Sequence, residues 1–243
     1  ILKRVGIKKQ VSTKIESSTG VTVSAAIVEP RSHEYLNHVI LNMLSNVPLA
    51  RPIHLFHGLT VNFTQPINDA VADGNIVLHE LATTTFDAYQ YSTLLTSKEF
   101  WLHFNTDKVL IFQTDSAICY NGGDNDNYPL SNFLHYDYIG ARHSFLEHGN
   151  GGLSLRDRKL SMRCSQFGGI RIGWEDTYFS NCIKAHGGKM ANLEEQQKFA
   201  VQYILGNRSF GAHKVNFEQR LKSTLDELEA WRKNCPSYLK GMQ

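Results

Sequence analysis

The run Val21–Glu29, VTVSAAIVE, is apolar and β-branched up to its last residue and reads as a strand. It ends at Glu29-Pro30-Arg31, and a helix is expected to start near Ser32. From His33 to Leu44 the apolar residues Leu36, Val39, Ile40, Met43 and Leu44 recur at helical spacing, and Asn46-Val47-Pro48 closes the segment. Pro52–His57 and Asn75–Glu80 read as two further strands. Asp87 is placed to cap a helix running to about Phe104, with Tyr91, Leu94, Leu95 and Trp101 on its inner face. Val109–Gln113, VLIFQ, is again a buried strand. The order strand–helix–strand–strand–helix–strand predicts an α/β, Rossmann-like arrangement with a central, mostly parallel sheet flanked by helices.

The second half is less regular. Asn121–Pro129 is a polar loop, and the aromatic stretch Phe133–Ala141 is expected to return to the sheet. Gly149–Gly152 reads as a glycine-rich turn before a short strand, Leu153–Leu155. Asp157 is a candidate cap for a helix through about Cys164, and Glu175–Ile183 and Leu193–Gln202 look helical. Phe217–Lys233 spaces Phe217, Leu221, Leu225, Leu228 and Trp231 by fours and threes, the pattern of an amphipathic helix. The first twenty residues are polar and basic, which suits a loose arm or an edge strand.

Composition narrows the function. With 42% apolar residues the chain can build a real core, and a net charge of +2 argues against a nucleic-acid-binding surface. No apolar run is long enough to cross a membrane as a helix. The N-terminus lacks the apolar stretch of a secretory signal and starts with Ile rather than Met, so a piece of a longer polypeptide is suspected. Cys119, Cys164, Cys182 and Cys235 lie far apart without CxxC spacing and read as free thiols in a reducing compartment. That favours the cytoplasm, with the secretory lumen as the alternative if an N-terminal anchor has been removed. Two sequons, Asn62-Phe63-Thr64 and Asn207-Arg208-Ser209, do not decide the compartment.

Four features carry chemistry. Asp115 follows a buried strand, where a carboxylate either caps a turn or holds a hard cation against a phosphate-bearing ligand. Gly149, Gly151 and Gly152 flank Asn150, and allow either a tight turn or close backbone approach to a ligand. Trp174-Glu175-Asp176 sets two acids at a helix start, where they stabilise the dipole or supply a general base. His213 is a late histidine suited to a Mn²⁺-type ion, though a lone histidine is more often structural. In this order the set suits transfer of a group from a nucleotide-diphosphate donor.

The segments LIFQTDS (Leu110–Ser116), FLHYDYIGA (Phe133–Ala141), GNGGLSLR (Gly149–Arg156), WEDTYFS (Trp174–Ser180) and FGAHK (Phe210–Lys214) occur in that order. VEPR (Val28–Arg31) and YSTLLTSKEFW (Tyr91–Trp101) lie upstream. Together they resemble a glycosyltransferase-like family first described as a domain of unknown function and related to the GT-A-fold nucleotide-sugar glycosyltransferases. The resemblance implies a GT-A-like domain over residues 21–215, preceded by an arm at 1–20 and followed by a C-terminal helix within 216–243 that packs on the domain. It implies that Asp115 matches the metal-binding acid of an acid-x-acid motif, with Gln113 in place of the first acid and Thr114 between them. Glu29 and Arg31 would lie near the nucleotide, and Asn150, Gly151 and Gly152 would face the donor sugar or acceptor. Arg31, Lys214 or Arg156 would hold the phosphates, and His213 would complete the shell of Mn²⁺ or Mg²⁺.

Of the acid pair, Asp176 is chosen over Glu175 as the acceptor's base, with Trp174 as a buried anchor that leaves only one acid facing the cleft. The implied activity is transfer of a sugar, UDP-linked by preference, to a hydroxyl of a glycan or glycoconjugate. The competing readings are a nucleotide-sugar or glycan-binding domain that has lost catalysis, for which Gln113 is the clue, and a hydrolase using Asp115 and Asp176 as a carboxylate pair.

Overall fold

The computed structural model describes residues 20–122, 126–143, 147–165, 173–215 and 225–238. The chain runs β1 (Val23–Glu29), α1 (Leu36–Asn46), β2 (Ala50–His57), α2 (Gln65–Ala72), β3 (Ile76–Glu80), α3 (Ala88–Thr96), α4 (Lys98–Leu102) and β4 (Lys108–Phe112). It continues through β5 (Ser116–Ile118), a 3₁₀ turn (Leu130–Phe133), β6 (Tyr138–Ala141), β7 (Asn150–Asp157), α5 (Arg158–Ser165) and α6 (Glu175–Ala185). It ends with α7 (Leu193–Phe199), β8 (Ala200–Val201), β9 (Gly211–His213) and α8 (Leu225–Asn234).

The main sheet has the order β3-β2-β1-β4-β7-β6. β1 pairs in parallel with β2 and β4, and β2 with β3, while β7 is antiparallel to both β4 and β6. This is the expected α/β class with a central, mostly parallel sheet, and the four strands read from the first half of the sequence are neighbours in it. β1 and β4 are apolar over most of their length because they are buried on both faces. Along β1, Ala25 and Ile27 join one core with Leu110, Phe112, Ile40 and Met43. Ala26 and Val28 point the other way, into a second core with Phe100, Trp101 and Phe179. A small second sheet, β5-β9-β8, sits on the first core through Ala117, Ala200 and Ala212.

Several local expectations need correction. The helix expected over 87–104 is two helices. Asp87 does cap α3, in a reciprocal capping box with Gln90, but Ser97 adopts extended dihedrals, ends α3 and caps α4 through its hydroxyl. Helix α1 starts at Leu36 rather than near Ser32, and α2 occupies a stretch that the pattern left unassigned. Only Tyr138–Ala141 of the aromatic stretch is strand. The glycine-rich turn is confined to Gly149, which has φ +79°, while Asn150, Gly151 and Gly152 already belong to β7. Helix α7 stops at Phe199, and the chain then enters β8. The N-terminal arm to residue 19, and the first turns of the expected C-terminal helix, lie outside the described residues.

The cysteines are not free thiols. Cys119 is bonded to Cys235 and Cys164 to Cys182, across sequence separations of 116 and 18. The fold brings together positions whose spacing gives no hint of pairing, and pairings of this kind cannot be deduced from sequence alone. The ground for a cytoplasmic location is thereby removed, since such bonds persist in oxidising compartments. Among the described residues no helix is long and apolar enough to cross a membrane.

Candidate functional site

The order β3-β2-β1-β4 reverses direction between β1 and β4, and a crevice opens beyond their carboxyl ends, the place where open α/β sheets bind ligands. Glu29 closes β1 and Gln113-Thr114-Asp115 follows β4. Because β7 runs antiparallel to β4, with Phe112 opposite Leu153, its first residues arrive at the same end. The first turn of α6 adds Glu175 and Asp176, and β9 delivers His213 and Lys214 beside Ser116. The resulting cleft holds about 390 Å³ and is bordered by every candidate residue read from the sequence except Gly149, Gly151 and Arg156.

Gly151 and Gly152 serve contacts within the protein. A Cβ on Gly152 would lie 2.0 Å from His213 Nε2, and one on Gly151 would lie 2.4 Å from Glu175 Oε1. Glycine is therefore required for the histidine and the acid pair to reach the sheet.

Glu29 is buried and accepts from Arg31 through both oxygens, at 2.8 Å from Nε and 2.7 Å from Nη2. The Arg31 guanidinium remains more than half exposed, so a pre-oriented cation faces the cleft. Lys214 is exposed, and its backbone N–H donates to the Asp115 carbonyl at 2.9 Å. Its φ of 46° is the sole left-handed non-glycine conformation among the described residues.

The two acids of α6 differ in attachment. Glu175 accepts from Arg156 Nη1 at 2.5 Å, and Arg156 is fully buried between the rings of Tyr138 and Phe179, 5.4 and 5.3 Å from their centroids. Burial pushes the Glu175 carboxyl up, against the pull of Arg156, and Asp176 pushes in the same direction. Arg156 is thus spent on Glu175 and is unavailable to phosphates, contrary to expectation. Among the described residues Asp176 has no cationic partner. It accepts from the backbone N–H of Gly151 at 3.2 Å and of Thr177 at 2.6 Å. Trp174 is not a buried anchor: it precedes the helix in extended conformation and is 65% exposed at the cleft mouth. Phe179 and Ile183 anchor α6 instead, and both acids border the cleft.

His213 Nε2 lies 3.2 Å from both Asp115 Oδ1 and Gln113 Oε1. Burial would raise the Asp115 carboxyl, but His213 and Lys214 draw it below the usual carboxylate range. Asp115 Oδ1 is buried without a hydrogen-bond partner in the described structure. An orphaned carboxylate oxygen next to an imidazole nitrogen fits a divalent cation, whose ligands in neighbouring octahedral positions stand about 3 Å apart at Mg²⁺-type bond lengths. Among the described residues no third His, Cys, Asp or Glu joins them. This donor set suits Mn²⁺ or Mg²⁺, which complete their shells with phosphate oxygens and water, and does not suit a closed zinc site.

The sequence reading missed Tyr91 and Gln202. Both border the cleft, and their Tyr91 hydroxyl and Gln202 Oε1 are buried without partners in the described structure. Burial pushes the Tyr91 hydroxyl upward, reinforced by the Glu175 charge, so it stays a neutral donor. Helical spacing placed Tyr91 among core residues and gave no sign of where its polar tip would point.

Among curated proteins no sequence matches the chain. Solved structures similar to it include the apo-form glycosyltransferase GlyE of Streptococcus pneumoniae, at 14% identity and TM-score 0.47, covering 90% of this chain and 61% of that one. The mannosyltransferase PcManGT of Pyrobaculum calidifontis, in complex with GDP-Man and Mn²⁺, is 12% identical with TM-score 0.49, covering 93% and 64%. S. aureus TarS, in complex with UDP-GlcNAc, is 10% identical with TM-score 0.49, covering 89% and 66%. The chain therefore spans less than two thirds of the length of these solved structures. The sequence model described as a protein of unknown function, DUF5672, matches residues 75–213, more than half of the chain and the part that supplies β4, β7, α6 and β9. The chain belongs to the DUF5672 family.

Proposed function

We propose that the protein transfers a sugar from a nucleotide-diphosphate donor, UDP-linked by preference, to a hydroxyl of a glycan or glycoconjugate. The observation that carries this reading is the meeting, in one cleft at the strand-order reversal, of the Asp115–His213 pair with Asp176, a carboxylate that no cation pairs among the described residues. Asp115 and His213 would hold Mn²⁺ or Mg²⁺, and the ion would supply charge neutralisation for the departing diphosphate. Arg31, held by Glu29, and Lys214 add positive charge on the same side, where charge develops. Thr114 Oγ1 approaches Glu29 at 3.5 Å and helps close the wall against which the nucleotide would lie. Asn150 orders the start of β7 by accepting from the Gly152 N–H at 2.8 Å, and it borders the space for the transferred sugar.

Asp176 is assigned the base role. Among the described residues it is held by two backbone N–H groups and by no cation, so its carboxylate can take the proton of an acceptor hydroxyl. Glu175 is assigned a positioning role through Arg156.

The test is nucleotide release from a panel of nucleotide sugars, with and without glycan acceptors. Release that depends on acceptor supports transfer, release with water alone supports hydrolysis, and binding without release supports an inactive sugar-binding domain, the reading that Gln113 favours. A readout independent of turnover is thermal stabilisation by Mn²⁺ with nucleoside diphosphate. It should be present in the parent and lost in Asp115→Asn.

A further inference from the structure

We infer that Asn62 carries an N-linked glycan, and hence that the protein folds in the lumen of a secretory pathway. The sequon Asn62-Phe63-Thr64 occupies the loop between β2 and α2. Phe63 is half-buried and sets its ring edge-to-face against His57 at 5.2 Å, which pins the middle of the tripeptide. Asn62 and Thr64 on either side are exposed, and neither borders the cleft. A glycan on Asn62 Nδ2 would project into solvent without displacing core or site.

A sequon alone is weak, because such triplets arise by chance. The second, independent observation is redox state. All four cysteines are paired, and structural disulfides form and persist in the oxidising compartments where glycosylation of Asn-x-Ser/Thr takes place. In the step, Asn62 Nδ2 bonds to the anomeric carbon of a polyprenyl-diphosphate-linked oligosaccharide. The bond from that carbon to the diphosphate oxygen breaks, the polyprenyl diphosphate departs, and the amide gives up one proton. The second sequon is less open in the fold. Asn207 is exposed, but its carbonyl accepts from Asn234 at 2.9 Å, and Ser209 is buried with its N–H held by Asn127.

The test is a peptide map of the protein purified from its own cells, before and after peptide N-glycosidase. The expected result is that the Asn62 peptide is recovered only after the enzyme, carrying the mass signature of deamidation at that position. Recovery of the unmodified Asn62 peptide as the only form overturns the proposal. Expression of Asn62→Gln, or of Thr64→Ala where that variant fails to accumulate, should remove one glycan's gel shift. Asn207→Gln should keep the Asn62 shift. A gel shift unchanged by both Asn62→Gln and Thr64→Ala also overturns it.

Discussion

Glu175 and Asp176 are adjacent carboxylates with opposite demands, and substitution should separate them. Glu175→Gln leaves Arg156 charged and unpaired in a fully buried site. Breaking a buried pair from one side costs about 3–5 kcal/mol, so this variant should lose stability in urea melts. Asp176→Asn keeps the shape and one of the two backbone contacts, since an amide nitrogen cannot accept, while removing the base. Turnover should fall by roughly 10²–10⁴ with donor binding intact by calorimetry. Normal turnover in Asp176→Asn together with a large loss in folded Glu175→Gln would reverse the assignment. Lys214 poses a different conflict. Its left-handed backbone costs an ordinary residue about 1–2 kcal/mol, which glycine does not incur. Lys214→Gly should therefore melt no lower than the parent, yet raise KM for the donor by removing a cation from the cleft. At this scale the sequence displayed the carboxylates and the histidine, because charged residues beside apolar runs stand out. It concealed which acid is neutralised, because Arg156 reaches Glu175 only once β7 and α6 pack. It concealed Trp174's exposure for the same reason: a tryptophan before a helix looks like an anchor until Phe179 and Ile183 fill that space.

Strands β2 and β3 carry a histidine pair with a consequence for pH. His54 Nδ1 and His79 Nε2 are 2.9 Å apart in a cluster with Phe56, Phe104 and His103. One nitrogen must donate and the other accept, so the pair excludes protonation of both rings, and burial disfavours protonation of either. Burial pushes His54 down to about 3, with His103 adding to it, and pushes His79 down to about 2, with His54 and His103 adding. Above the ordinary histidine pKa, folded and unfolded states are equally deprotonated and the pair costs nothing. As pH falls below about 6.5 the unfolded chain takes up protons that the folded one refuses, and stability drops by up to about 1.4 kcal/mol per pH unit for each ring. The loss continues down to the folded values. Urea midpoints between pH 7 and 4 should fall steeply in the parent and less steeply in the double variant His54→Leu/His79→Leu. Equal slopes would show that other groups dominate. The same elements explain what periodicity can reveal. β1 and β4 are legible because burial on both faces makes them almost continuously apolar. α2 is eight residues long with only Ile67 and Ala70 buried, too few to set a period. The first residues of β7 look like a turn because glycines there admit His213 and Glu175, a tertiary demand with no local signature.

For the molecule as a whole, the disulfides decide where it can be stable. Cys235 follows α8 and is bonded to Cys119, which follows β5, the strand that pairs with the one bearing His213. Leu228 and Trp231 of α8 enter the core, and the Tyr238 hydroxyl accepts from the Val215 N–H at 2.7 Å. The C-terminal segment thus braces the strand that presents His213 and Lys214. Cys164–Cys182 ties α5 to α6 and so steadies the helix bearing the acid pair. Cross-links stabilise mainly by restricting the unfolded chain, more for longer loops. The link spanning 116 residues should contribute about 4–5 kcal/mol and the one spanning 18 about 3 kcal/mol, before any native strain. Cys119→Ser/Cys235→Ser should therefore lower the urea midpoint more than Cys164→Ser/Cys182→Ser. Because Cys119, Cys235 and Cys164 are almost fully buried, reductant should act on the native protein only at the rate at which it opens. A midpoint unchanged by complete reduction would remove both links from the account of stability. Together they rival the roughly 5–15 kcal/mol that holds a typical domain folded. The reduced chain should then populate unfolded forms readily, and a cleft built from the ends of β1, β4, β7, α6 and β9 would form reliably only where the thiols are oxidised.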